Sequence, residues 1–148
     1  EVIPMLDSLS EVAKTIGAVN TIINHNGVLH GDNTDSDGFI KDITKRHNIK
    51  ISGTKTLVLG AGGASKAIIY GLLKHQAKSV TIVNRTREKA DIIVSKFQHL
   101  GLIKSTSFNL IELGNLDQFD LIINCTSFGM KHSSLEGKFP IPKNLINQ

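Results

Sequence analysis

An α/β fold built around a parallel sheet is the architecture that the sequence predicts, on three observations. The hydrophobic period changes after a polar stretch, Asn48 to Lys55, that carries Ser52-Gly53. Beyond it, apolar runs of four to six residues alternate with longer segments of helical spacing, the signature of parallel strands joined by right-handed crossovers. The first of these runs, TLVL, stops at the glycine-rich turn GAGG, and an apolar helical pattern starts directly after it.

Taken in order, Ser8 to Ile16 carries Leu9, Val12, Ala13 and Ile16 at helical spacing and meets Gly17, which predicts a helix. Val19–Ile23 reads as a strand, His25-Asn26-Gly27 as a tight turn and Val28–His30 as the returning strand. Asp35–His47 places Phe39, Ile40 and Ile43 on one helical face. In the second part, strand Thr56–Leu59 leads to helix Ala64–Lys74, and strand Ser79–Val83 to helix Arg87–Leu100. A third strand is expected at Ser107–Leu110, a helical turn at Leu113–Asp117 and a fourth strand at Asp120–Cys125. The division is therefore 1–48 and 49–148.

Composition narrows the classes. The chain has 148 residues with 40% hydrophobic and 20% charged, as in soluble globular proteins. No apolar run reaches the roughly 18 residues of a membrane span, and the start EVIPMLDSLSE lacks the features of a signal peptide. The excess of 17 Lys and Arg over 13 Asp and Glu is scattered, with one Tyr and no Trp, which favours a solvated surface over a nucleic-acid face. A lone Cys125 forms no internal disulfide and fits a reducing, cytoplasmic setting. The six His show no metal-ligand spacing, so no metal is expected.

The glycine turn carries the chemistry. Gly60 and Gly62 match the first two glycines of G-x-G-x-x-G, one for the tight turn and one for close approach of a pyrophosphate. Ser65 replaces the third, and Gly63 adds room. The N–H groups and dipole of the following helix favour an anion there, and the strand–turn–helix context supports a Rossmann-like dinucleotide site. At the end of the next strand an NAD site would place an acid for the ribose hydroxyl. This chain has VNRTREK instead: Asn84, Arg85 and Thr86 stand there, with Arg87 and Lys89 behind. A guanidinium suits a 2′-phosphate, whereas cations at a helix start oppose its dipole. The cofactor expected is NADP.

The first segment holds GAVNT and GDNTDSDG. Asn33-Thr34-Asp35 reads either as a turn capping the helix that comes next or as part of a binding site, since Asn20 and Asp35 flank a short hairpin ahead of a dinucleotide fold. In its motifs the chain resembles the shikimate/quinate dehydrogenase family. The resemblance rests on IGAVNT, GDNTDxxG, LGAGGASKA, VNRT and DLIINCTSFGM, in that order, and extends over nearly the whole chain.

The resemblance implies an NADP-dependent oxidoreductase that interconverts 3-dehydroshikimate and shikimate, with residues 1–48 as the tail of a substrate-binding domain and 49–148 as an incomplete NADP domain. Asn20 and Asp35 would bond ring hydroxyls, Asp35 also serving in a catalytic Lys–Asp pair. Gly60, Ala61, Gly62, Gly63 and Ala64 would line the pyrophosphate. Asn84, Arg85, Thr86 and Lys89 would surround the 2′-phosphate, and Thr126 and Ser127 would lie along the cofactor. Ser127-Phe128 departs from the family's usual Thr-Pro version of that loop. The family's catalytic Lys, its amino-terminal Ser pair and its later Gln motif have no counterpart in the chain. The expectation is an internal half of a protein about twice as long, poorly active or inactive by itself. Small molecules are the expected partners, a homodimer is left open, and nucleic acid and membrane are not expected. Two alternatives remain: a non-catalytic nucleotide-binding fragment or truncated gene product, and a quinate-preferring relative.

Overall fold

The computed structural model describes residues 2–107, 116–131, 134, 136–138 and 140–141. The first part forms a three-stranded sheet in the order β1-β3-β2, from β1 (Ser8–Leu9), β2 (Thr21–His25) and β3 (Val28–Asp32), with α1 (Glu11–Ile16) after β1. β1 runs parallel to β3, while β2 and β3 form an antiparallel hairpin. Its turn is Asn26-Gly27, both residues at positive φ (53° and 91°), as a two-residue hairpin turn of the right twist requires.

The helix expected from Ser8 is shorter by three residues. Ser8 and Leu9 pair with His30 and Gly31 instead. Ser10 adopts extended backbone, and its hydroxyl accepts the Ala13 N–H at 3.0 Å, so the helix starts at Glu11. An N-cap serine followed by a helix is a standard start signal, and here it outranks the helical spacing of Leu9.

α2 (Asp35–Lys41) runs into a π-helical turn at Asp42–Arg46, so the expected single helix changes geometry near its end. The Thr44 hydroxyl donates to the Ile40 carbonyl at 2.6 Å, a side-chain bond that competes with the helix ladder. α2 packs on the helix after the glycine turn, α3 (Gly63–Lys74). Gly71 permits the approach: a Cβ there would lie 2.7 Å from Ser36 Oγ and 2.9 Å from Ile40 Cγ1.

The second part is a four-stranded parallel sheet of β4 (Lys55–Leu59), β5 (Ser79–Val83), β6 (Ile103–Thr106) and β7 (Leu121–Asn124). Its order is β6-β5-β4-β7, so the third and fourth strands lie on opposite sides of the first two. α3 follows β4, and α4 (Arg87–Phe97) follows β5. α4 ends three residues earlier than expected; Leu100 N–H then bonds the Phe97 carbonyl at 2.9 Å in a tightened turn. The third strand lies at Ile103–Thr106, ahead of the expected Ser107–Leu110, because Ile103–Thr106 pairs with Val80–Val83. Residues 108–110 lie outside the described residues. Of the expected turn at Leu113–Asp117, Leu116 and Asp117 open a 3-10 turn, Leu116–Gln118, and residues 113–115 lie outside the described set.

The core follows the two-residue period of the strands. Val58, Val80 and Ile82 pack with Ile69, Leu72, Ile93 and Phe97 of the helices. Leu57, Leu59 and Val83 face the other side, with Leu116 and Ile141. Each fully buried Leu or Ile stabilises by about 1.5–3 kcal/mol. Among the described residues no helix is long and apolar enough to cross a membrane.

Candidate functional site

In an open parallel sheet the crevice forms where strand order reverses, beyond the carboxyl ends of the strands. Here that point lies between β4 and β7, which are neighbours although distant in sequence. The loops after β4, β5 and β7 enclose a cavity of about 530 Å³. Gly60, Ala61 and Gly62 line it from the first loop, Asn84, Arg85, Thr86 and Lys89 from the second, and Cys125 to Phe128 from the third. Gly63 and Ala64 begin α3.

Each glycine has its own physical role. Gly60 has φ +105°, and a Cβ there would meet the Cys125 carbonyl oxygen at 2.9 Å. It is the residue that lets β4 turn tightly beside β7. Gly62 has extended backbone, φ −92° and ψ −168°, and a Cβ would find no protein atom within 4 Å. Nothing in the protein's own packing asks for glycine at Gly62 or Gly63, which leaves space for a ligand. Ser65, in place of the third glycine, is fully buried, and its hydroxyl donates to the Gly62 carbonyl at 2.7 Å. The replacement is thus satisfied internally and ties the turn to the helix.

The second loop is held by Asn84, whose side-chain amide donates to the Thr86 carbonyl at 2.7 Å. Arg85 and Lys89 are exposed and make no ion pair with a carboxylate among the described residues. Two uncommitted cations at the rim, glycines open to space and a helix N-terminus together fit a phosphorylated dinucleotide. Asn124 organises the third loop. Its Oδ1 accepts from Thr126 N–H at 3.0 Å and Thr126 Oγ1 at 2.6 Å, while its amide donates to the Phe128 carbonyl at 3.1 Å. Ser127 is exposed on this loop.

Cys125, Phe128 and Pro140 also line the cavity, and sequence reasoning did not assign them there. The strand end DLIINC was the available signal for Cys125, since residues at strand ends face such crevices. Burial pushes the Cys125 thiol up to about 11, so it is no nucleophile at neutral pH.

Asn20 and Asp35 do not line this cavity but lie together in the first part. Asn20 Oδ1 accepts the Thr34 N–H at 3.0 Å and the Thr21 hydroxyl at 2.9 Å. Its amide N–H groups have no protein acceptor among the described residues. Asn33 Oδ1 accepts the Asp35 N–H at 3.2 Å, and Asn33 Nδ2 donates to the Ala18 carbonyl at 3.2 Å. The turn ahead of α2 is therefore closed by Asn33. The exposed Asp35 carboxylate accepts no hydrogen bond among the described residues. Beneath them, Asp32 accepts from the Ser10 hydroxyl at 2.5 Å and the Asn33 N–H at 2.7 Å, which hold its carboxyl below the ordinary aspartate value.

Strand order, glycine turn and crevice define a Rossmann-like α/β protein. The chain belongs to the shikimate / quinate 5-dehydrogenase family, whose sequence model matches residues 41–132. It is 42% identical over 135 residues to the shikimate dehydrogenase (NADP(+)) of Nitrosopumilus maritimus, covering 90% of this chain and 49% of that one. Among solved structures, shikimate 5-dehydrogenase from Listeria monocytogenes in complex with shikimate and NAD superposes with a TM-score of 0.85 at 30% identity, over 96% of this chain and 50% of that chain. The Thermus thermophilus enzyme in complex with NADP(H) and shikimate gives 0.78 at 30% identity, over 97% and 49%. The chain spans about half the length of the curated relatives it matches.

Proposed function

We propose that the chain belongs to an NADP-dependent shikimate dehydrogenase, contributing most of the cofactor domain (residues 49–148) and the tail of the substrate domain (residues 1–48). The complete protein interconverts 3-dehydroshikimate and shikimate in the cytoplasm, on the way to aromatic compounds. The observation that carries this reading is the pairing of an open glycine turn at Gly62 with the uncommitted Arg85 and Lys89 at the end of β5.

NADPH, when bound, supplies the hydride for the ring ketone. Gly60 to Ala64 present backbone N–H groups and room to its pyrophosphate, the α3 dipole favouring that charge. Arg85, with Asn84, Thr86 and Lys89 around it, takes the 2′-phosphate. Thr126 and Ser127 run beside the cofactor, and the half-buried, protonated Cys125 adds only apolar wall. Asn20 offers its unpartnered amide to a ring hydroxyl. Asp35 binds another hydroxyl and steadies a lysine ammonium that protonates the ketone oxygen, by proximity and charge. Small molecules are the only partners this reading needs, and a homodimer is compatible with it.

Titration with NADP and with NAD tests the reading. Selective binding of NADP by the protein, and its loss in Arg85→Ala, is the expected result. Equal affinity for both nucleotides in the parent would overturn the cofactor assignment. A quinate-preferring relative is separated by competition between quinate and shikimate in the complete protein.

A further inference from the structure

The Lys96 ammonium, in the last turn of α4, donates to the Ile16 carbonyl at 3.0 Å across 80 residues of sequence. Ile16 is the last residue of α1, and Gly17 closes that helix in the left-handed conformation, φ 71°. A Cβ on Gly17 would sit 2.5 Å from Lys96 Nζ, so the glycine leaves the ammonium its place. Among the described residues Lys96 has no carboxylate partner. Its charge is directed at a helix carboxyl end, where the exposed carbonyls and the dipole favour a cation. Partial burial lowers its pKa, with Lys66 adding to the effect, yet the contact is kept.

The segment that carries Asn20 begins where α1 ends. From Ile16 and Gly17 the chain passes to Ala18, whose carbonyl accepts the Asn33 amide, and then to Asn20, whose Oδ1 accepts the Thr34 N–H. Asn33 in turn accepts the Asp35 N–H. One contact from α4, whose first turn lines the crevice through Lys89, thus anchors the short segment 16–20, and hydrogen bonds from that segment reach Thr34 and, through Asn33, Asp35. We propose that Lys96 is a positioning residue: it pins the end of α1 to the nucleotide-binding half and so sets where Asn20 and Asp35 stand relative to the cofactor. The proposal rests on the reading that Asn20 and Asp35 meet the substrate. A salt-free helix cap alone would add stability and nothing else; a pin between the two halves also alters substrate geometry.

The test replaces Lys96 by Met, which keeps an unbranched apolar stem and removes the ammonium, with Lys96→Gln and Lys96→Arg alongside. Amide hydrogen exchange is read at Asn20, Thr34 and Asp35, nucleotide affinity by titration, and KM and kcat in the complete protein. Loss of a charge-assisted bond should speed exchange at those amides by about fivefold or more. In the complete protein KM for the ring substrate should rise and kcat fall, with NADP affinity unchanged and Lys96→Arg restoring much of both. Folded Met and Gln variants with unchanged exchange at these amides would overturn the pin. Faster exchange with unaltered KM and kcat would overturn the positioning role and leave a stabilising helix cap, whereas an unaltered kcat in Asp35→Asn would overturn the substrate reading on which the proposal rests. Weakened NADP binding in a folded Met variant would overturn the separation of roles.

Discussion

Two glycines two residues apart should respond to a side chain in opposite ways. At Gly60 the backbone has φ +105° and the new Cβ would stand 2.9 Å from the Cys125 carbonyl oxygen, a backbone atom that cannot rotate away. Backbone outliers of this kind cost about 1–3 kcal/mol for a residue with a Cβ, and the clash adds to it, so Gly60→Ala should lose about 2–4 kcal/mol. For a chain of this size each kcal/mol lowers Tm by about 2–4 °C, giving a fall of roughly 5–15 °C. Gly62→Val differs: extended backbone accommodates it and no protein atom lies within 4 Å. The fold should melt within about 2 °C of the parent, while the isopropyl group fills the space assigned to the pyrophosphate. Nucleotide affinity should then fall at least about a hundredfold, near 2.7 kcal/mol. Thermal melting by circular dichroism and titration calorimetry with NADP separate the two effects. A Gly62→Val protein that binds NADP as the parent does would refute the reasoning, as would a Gly60→Ala protein with an unshifted melt.

Arg85→Ala should weaken NADP binding about ten- to a hundredfold, from the 1.5–3 kcal/mol of a charge-assisted hydrogen bond, and leave NAD nearly untouched; calorimetry with both nucleotides measures it. Asp35→Asn in the complete protein should cut kcat at least about a hundredfold with little change in NADP affinity or in melting, since Asn33 and not Asp35 closes the turn. Asp32 has a lowered carboxyl pKa, so its stabilising contribution is present above the ordinary aspartate range and is lost as pH falls through the folded value; Asp32→Asn should flatten that acid limb in urea melts taken from pH 6 downward. Cys125 shows the reverse sign: with its thiol raised from 9.0 to about 11, the contribution is full below pH 9 and lost as pH rises toward 11. Alkylation by iodoacetamide at pH 8 should be slow in the native protein and fast in urea.

The cofactor crevice was the most legible part of the molecule. Strands β4 and β5 are buried on both faces and read as short runs of apolar and β-branched residues, TLVL and SVTIV, and the turn between β4 and α3 carries two glycines of the G-x-G-x-x-G spacing. β6 is not legible in the sequence, because Ile-Lys-Ser-Thr contributes one buried apolar residue, Ile103, and is specified by pairing with β5 rather than by its own pattern. β1 was hidden inside a helical spacing for the same reason: a two-residue strand has too few side chains to show a period of two. At the Asn20–Asp35 cluster, sequence alone could not separate capping from binding. The separation is a matter of hydrogen bonds, in which Asn33 takes the structural role and leaves the Asp35 carboxylate uncommitted. Neither Asn124 as the organiser of its loop nor Lys96 at the end of α1 has a local signature, because each acts on backbone groups that only the fold brings near.

The pairing of β4 with β7 bears on how the protein is made. Gly60 meets the Cys125 carbonyl at one end of the seam. At the other end the Asp120 carboxylate accepts the Lys55 N–H at 2.7 Å, from a residue 65 positions earlier in the chain. On a ribosome, β4, α3 and β5 can associate as soon as they emerge, but the third wall of the crevice arrives only with β7. A nascent chain stopped before Leu121 therefore has the glycine turn and lacks the pocket. Since a ligand stabilises only the state that binds it, nucleotide would act late in biogenesis, as a check on the assembled β4–β7 seam and not as a template for it.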